Sequence, residues 1–125
     1  MSLGMDYRVW RIISLGWMGL IFYLSSKSNL PAPDLFRGED KLAHFVVFGI
    51  LGLLLACSLG PRYPERPLTG TLLIILMAIG YGLFDEAHQY FVPNRDSSLM
   101  DVAADAAGGF AAAIAWVGLR GRVFS

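Results

Sequence analysis

Four apolar runs divide the chain and predict four α-helices of membrane-spanning length. The runs cover residues 9–24, 42–59, 68–91 and 102–119, and each is close to the roughly 17 to 25 residues that a helix needs to cross a bilayer. All six prolines lie outside them, as expected for uninterrupted helices. Residues 45–55 and 72–79 lack the polar stripe of a soluble helix. The pattern therefore predicts an all-α, polytopic membrane protein that forms one domain over residues 1–125.

The composition of the chain excludes several classes of protein and of site. Hydrophobic residues make up 55% of the chain and charged residues 16%, which excludes intrinsic disorder. Ten basic residues balance ten acidic ones, so no overall positive field attracts nucleic acid, and no nucleic-acid partner is expected. Cys57 is the single cysteine, which excludes an intramolecular disulfide and a thiolate metal cluster.

The first run has an alternative interpretation as a signal peptide. Arg8 and Arg11 precede the apolar residues 12–24, an order that is typical of a secretory leader. The bulky Trp10 and Trp17 and the even helix number with this run included favour a retained first helix. We therefore expect four transmembrane helices.

The distribution of charge predicts the orientation. With a cytoplasmic amino terminus, six of the ten basic residues would be cytoplasmic and four would be outside. The positive-inside rule then favours both termini in the cytoplasm. Eight of the ten acidic residues would lie on the outer side. That side therefore carries nearly all the candidate catalytic and ligand-binding residues.

The polar residues at the outer helix ends have helical spacing. Asp85 and Gln89 are four residues apart, as are Asp101 and Asp105, so each pair shares one helix face. Carboxylates are costly in a membrane and should face the bundle interior or a wet cavity. The fourth helix is rich in alanine and glycine, which allows close helix packing. We expect the acids of the third and fourth helices to meet there, with His44 arriving from the second.

Several of these residues also have ordinary structural interpretations. Asp101 is expected to cap the fourth helix, and Lys41 and Arg95 are typical interfacial charges. His88 is more often an interfacial side chain than a ligand. Ionisable side chains inside an apolar run are costly in a membrane and indicate a functional role. The residues in such positions are His44, Asp85, Glu86 and Asp105.

Taken in order, these residues form a motif combination. Asp40-Lys41-x-x-His44-Phe45 is followed by Asp85-Glu86-x-x-Gln89-x-Phe91-x-Pro93-x-Arg95 and then by Asp101-x-x-x-Asp105-x-x-Gly108. The combination resembles the VanZ-like family of small bacterial membrane proteins, and the resemblance covers nearly the whole chain. It implies a multi-pass protein of the bacterial cytoplasmic membrane, associated with resistance to the glycopeptide teicoplanin, and it supplies no reaction. Relatives of that family often carry Asn where the third motif of this chain has Asp105.

Three functions follow from these observations as hypotheses. The first is a protein that binds, or helps modify, a lipid-linked or glycopeptide-like envelope ligand. Its ligand-binding residues would be Lys41, Gln89, Arg95, Asp101 and Asp105, with Arg95 suited to a phosphate or carboxylate. The second is a membrane-embedded hydrolase or transferase acting on a lipid-linked phosphate, with His44, Asp85 and Glu86 as catalytic residues. The third, a small-molecule transporter, would need ionisable groups near the bilayer centre, where the four runs carry none.

Cofactors and partners complete the sequence-based expectations. No cofactor is expected, although the acids together with His44 form a donor set for a divalent cation. Membrane lipids are the expected partners, and the oligomeric state is left open.

Overall fold

The computed structural model describes residues 6–26, 39–59, 67–92 and 99–123, and these form four α-helices. The helices are α1 (Tyr7–Ser25), α2 (Glu39–Ser58), α3 (Pro67–Tyr90) and α4 (Leu99–Val123). The all-helical prediction is confirmed for this part of the chain. The helix bounds agree with the apolar runs to within two residues, except that α2 and α4 each begin three residues before their runs and α4 ends four residues after its run.

Three of the four helices are long and apolar enough to cross a membrane. The candidate spans are Lys41–Ser58, Leu68–Tyr90 and Leu99–Gly118. The first helix forms as predicted, but it is not among these spans. The structure therefore supports three spans, and the fourth is still a prediction.

Local residue chemistry explains where two of the helices begin. Asp6 has an extended backbone, and its Oδ1 accepts a hydrogen bond of 2.8 Å from the amide of Arg8. This satisfies one of the free amides of the first turn of α1. Pro67 opens α3, a position at which its missing N–H costs nothing.

Apolar side chains occupy both the core and the outer surface of the bundle. The core contains Phe48, Leu51 and Ile74, each at most 1% exposed. Large apolar side chains also point outward, and Ile12 and Leu76 are each more than 60% exposed. So many exposed large apolar side chains, on all four helices, are unusual for a soluble protein and are expected where lipid surrounds the helices.

Two consecutive glycines allow α4 to approach both α2 and α3. A methyl group at Gly108 would collide with the backbone carbonyl of Phe45 on α2, and one at Gly109 would lie 2.6 Å from Cβ of Ala78 on α3. The contacts of α4 with α2 are the most extensive in the bundle, followed by those with α3. The glycines therefore bring the beginning of α4, with its two acids, between its neighbours.

Polar contacts to backbone carbonyls attach α1 to the rest of the bundle. The indole Nε1 of Trp17 donates to the carbonyl of Val47 at 3.1 Å, and the hydroxyl of Tyr81 donates to the carbonyl of Met18 at 2.5 Å. The first helix packs mainly on α2 and less on α3.

Candidate functional site

The polar residues predicted from the sequence lie at one end of the bundle, which we call the acidic end. It is formed where α1 and α3 end and where α2 and α4 begin. Each helix contributes side chains from its last or first turns: Ser25 of α1 with its C-cap Ser26, Lys41 and His44 from α2, Asp85, Glu86, His88 and Gln89 from α3, and Asp101 and Asp105 from α4.

His44 joins α2 to both acids of α4. Its Nδ1 is 2.8 Å from Oδ1 of Asp105, which is completely buried. Its Nε2 is 3.8 Å from Oδ2 of Asp101, which is too long for a hydrogen bond. Because Asp101 and Asp105 lie one turn apart on α4, the imidazole ring lies between them.

Asp101 pairs with Lys41, and it is not the cap of α4. Because α4 begins at Leu99, Asp101 is in its first turn, so the interpretation of Asp101 as the N-cap was wrong. A carboxylate in the first turn still interacts favourably with the helix dipole. Nζ of Lys41 is 2.6 Å from Oδ1 of Asp101, and the lysine side chain remains partly exposed.

Asp85 joins α3 to the end of α1. The hydroxyl of Ser25 donates to Oδ1 of Asp85. Nε2 of Gln89 is 3.2 Å from Oδ2 of Asp85 and 3.3 Å from Oγ of Ser25. All three side chains are buried, so Gln89 positions Asp85 and lies inside the bundle rather than on its surface.

His44, Asp85 and Glu86 converge in the interior of the bundle. One ligand atom from each of these three side chains lies within 4.8 Å of the other two. Together with Asp105, which holds His44, they form what we call the buried cluster. The sequence predicted that acids of α3 and α4 would meet His44 here, and the structure places them together.

The acidic end contains a large amount of buried carboxylate. Asp85, Glu86, Asp101 and Asp105 are between 0% and 4% exposed. A buried carboxylate needs a proton, a hydrogen-bond donor or a cation. Arg95, predicted to bind an anionic group of the ligand, lies outside the described residues, so its predicted role stays a prediction.

An open groove between α3 and α4 reaches the buried cluster. It has a volume of about 380 Å³ and an apolar lining with one acidic member, formed by Leu83, Glu86, Ala87, Tyr90, Phe91, Leu99 and Val102. Glu86 therefore belongs both to the groove and to the buried cluster. The groove gives a ligand a route to a carboxylate that is otherwise buried.

Sequence reasoning missed the contribution of α1. Ser25 bonds to Asp85, and Ser26 lies 2.8 Å from Nε2 of His88, whose ring stacks on Phe22. His88 thus contacts the end of α1 and is not part of the buried cluster. The order of the helices could have predicted this contribution. In a bundle of consecutive antiparallel helices, the end of the first helix lies at the same end of the bundle as the end of the third.

Residues 10–120 match the VanZ/LLP1 family, which confirms the resemblance based on the three motifs. Comparisons with curated proteins and with solved structures found no match. Together with the three membrane-length helices, the match over most of the sequence identifies a multi-pass membrane protein, and the chain belongs to the VanZ/LLP1 family.

Proposed function

We propose that the protein spans the bacterial cytoplasmic membrane four times, with both termini in the cytoplasm and the acidic end just below the outer headgroups. The excess of basic residues on the predicted inner side supports this orientation. The outward face of α1 supports the fourth span, because Ile12 and Leu15 are each more than 60% exposed and would face lipid.

The site at the acidic end binds a lipid-linked ligand of the cell envelope and lowers sensitivity to teicoplanin. The observation that carries this proposal is the apolar groove, which includes Glu86 and so leads to the buried cluster. A hydrocarbon chain matches the apolar lining, and the polar cluster lies where the headgroup of the same lipid would be. A lipid-linked ligand fits these two surfaces together better than a free glycopeptide does.

The test is complementation in a teicoplanin-sensitive bacterium. Expression of the wild-type chain is expected to raise the inhibitory concentration of teicoplanin, and Glu86→Gln and Arg95→Ala are expected to abolish the gain. His88→Gln is the matched control, because His88 lies on the same helix but outside the buried cluster. Membrane levels of each variant are measured by immunoblot.

Two results would count against the proposed site. Wild-type tolerance from Glu86→Gln and Arg95→Ala at normal membrane levels would contradict the proposal. Equal losses in those variants and in His88→Gln would show that the whole end of the bundle is sensitive to substitution, and would also count against a defined site.

A second candidate function is hydrolysis or transfer of a lipid-linked phosphate. The hydrogen bond between His44 and Asp105 favours it, because a carboxylate that orients an imidazole raises its strength as a general base. Release of phosphate from a lipid-phosphate substrate by the purified chain would support this function. Loss of that release in His44→Gln, with release intact in His88→Gln, would assign the base.

A further inference from the structure

We propose that His44, Asp85 and Glu86 bind one divalent transition-metal ion, Zn²⁺ or Mn²⁺. The proposal goes beyond the proposed function, which requires a polar site but no metal. One imidazole nitrogen and two carboxylate oxygens form a donor set that both ions accept.

The distances among the three donors suit a single ion. Metal–ligand bonds of about 2.0 to 2.2 Å place two donors of a tetrahedral ion roughly 3.4 Å apart. The donor atoms of His44, Asp85 and Glu86 lie within 4.8 Å of one another, so side-chain rotations that shorten these separations by at most about 1.4 Å would bring all three into range. Three protein ligands also leave a coordination position for an external ligand, as in catalytic zinc sites.

Asp105 holds His44 in the way that ligating histidines are usually held. In metal sites the second ring nitrogen commonly donates to a carboxylate, which fixes the tautomer and the ring orientation. The contact of 2.8 Å between Nδ1 of His44 and Oδ1 of Asp105 has this form. Asp105 is therefore a positioning residue, not a metal ligand.

The second oxygen of Asp105 is an independent indication that positive charge belongs here. Oδ2 of Asp105 is buried and receives no hydrogen bond from the described residues. It points at α3, because a methyl group on Gly82 would be 2.9 Å from it, and Gly82 lies one turn before Asp85 and Glu86. A divalent ion would compensate this concentration of buried negative charge.

The groove supplies the entry path that a metal site requires. Glu86 is part of the groove lining, so an ion bound to its carboxylate would be reachable by a ligand in the groove. A phosphate or carboxylate group could then occupy the open coordination position.

The test measures metal in the purified full-length chain, without a histidine tag, in detergent micelles. The protein is stripped with a chelator, loaded with Zn²⁺ or Mn²⁺, desalted and analysed by mass spectrometry of the metal. We expect about one ion per chain for the wild type and a loss of more than about tenfold for His44→Gln, Asp85→Asn and Glu86→Gln. Asp105→Asn is expected to weaken binding by about 10- to 100-fold while keeping the same stoichiometry at saturation.

Two controls separate metal loss from unfolding. His88→Gln and Asp6→Asn lie outside the buried cluster and are expected to retain the full metal content. The unfolding midpoint of the wild type and of His88→Gln should rise with metal concentration, because the ion binds the folded state. The midpoint of Glu86→Gln should not move.

The outcomes distinguish this site from the proposed function. Less than about 0.1 ion per wild-type chain after loading, or wild-type content in both Asp85→Asn and Glu86→Gln, would overturn the metal site. If such a chain still confers teicoplanin tolerance, only the metal site fails. If a chain that binds one ion through these residues confers no tolerance, the metal site is supported and the proposed function is overturned.

Discussion

The two ends of the bundle satisfy their polar groups in different ways. At the opposite end, where α1 begins and α2 ends, side chains donate to backbone carbonyls. Arg11 Nε lies 2.9 Å from the carbonyl of Ser58, and the hydroxyls of Ser14 and Ser58 donate to carbonyls of their own helices. At the acidic end, side chains from different helices also bond to one another, as Ser25 does with Asp85 and His44 with Asp105.

The difference lies in the chemistry of the groups. A serine or an arginine donates hydrogen bonds, and a helix end offers carbonyls to accept them. A carboxylate only accepts, and the acidic end buries four of them. Among the described residues, the donors named at the opposite end meet backbone carbonyls, whereas Oδ2 of Asp105 at the acidic end is buried without a hydrogen bond, which is the condition expected of a binding site.

The largest effect is expected for Gly108→Ala, which should destabilise both ends together. The added methyl group meets the backbone of Phe45, which cannot rotate away, so α2 and α4 must separate. We expect a loss of about 3 kcal/mol in the free energy of unfolding, measured by denaturation in micelles. Gly118→Ala, with open space at its Cβ, is the control, and equal stability of the two variants would contradict the packing.

Glu86→Gln should separate stability from function. The substitution keeps the shape of the side chain and an oxygen that accepts hydrogen bonds, and it removes the cost of burying a charge, so the unfolding midpoint should stay close to that of the wild type. Teicoplanin tolerance should be lost, as proposed above. A midpoint well below that of the wild type would show that the Glu86 carboxylate is a structural element of the bundle, like the polar groups at the opposite end.

Gly82→Ala should have an intermediate effect that is confined to the acidic end. Its methyl group would lie 2.9 Å from Oδ2 of Asp105, so the carboxylate must move and loosen its hydrogen bond to His44. We expect a partial loss of tolerance and about 1 to 2 kcal/mol of destabilisation. Gly80→Ala is the matched control two residues earlier, with nothing near its Cβ, and identical tolerance in both variants would argue against a role for the position of Asp105.

Ser58→Ala should have the smallest effect. Its hydroxyl donates only to the carbonyl of Leu55 in its own helix, and such local bonds contribute little. We expect a loss of about 0.5 kcal/mol in stability and wild-type tolerance. A loss of tolerance would mean that the two ends are coupled.

The sequence predicted the helices and the meeting place of the acids, but not the pairing of the side chains. The apolar runs and the prolines at their borders define the helices, and the spacing of Asp101 and Asp105 defines one polar face. Hydrogen-bond partners depend on rotamers and on the packing of non-neighbouring helices, which spacing does not encode. Gln89 was therefore expected to contact a ligand, whereas it bonds to Asp85 and Ser25.

The consecutive glycines of α4 also determine its register. Neighbouring residues are about 100° apart around a helix axis, which is why Gly108 meets α2 while Gly109 meets α3. One turn further along the helix the corresponding pair is Ala112 and Ala113. If α4 slid by one turn, about 5.4 Å, those two methyl groups would have to enter spaces that accept only hydrogen. These collisions prevent α4 from sliding in that direction. Gly108 and Gly109 therefore fix the position of Asp105 along the helix axis relative to His44.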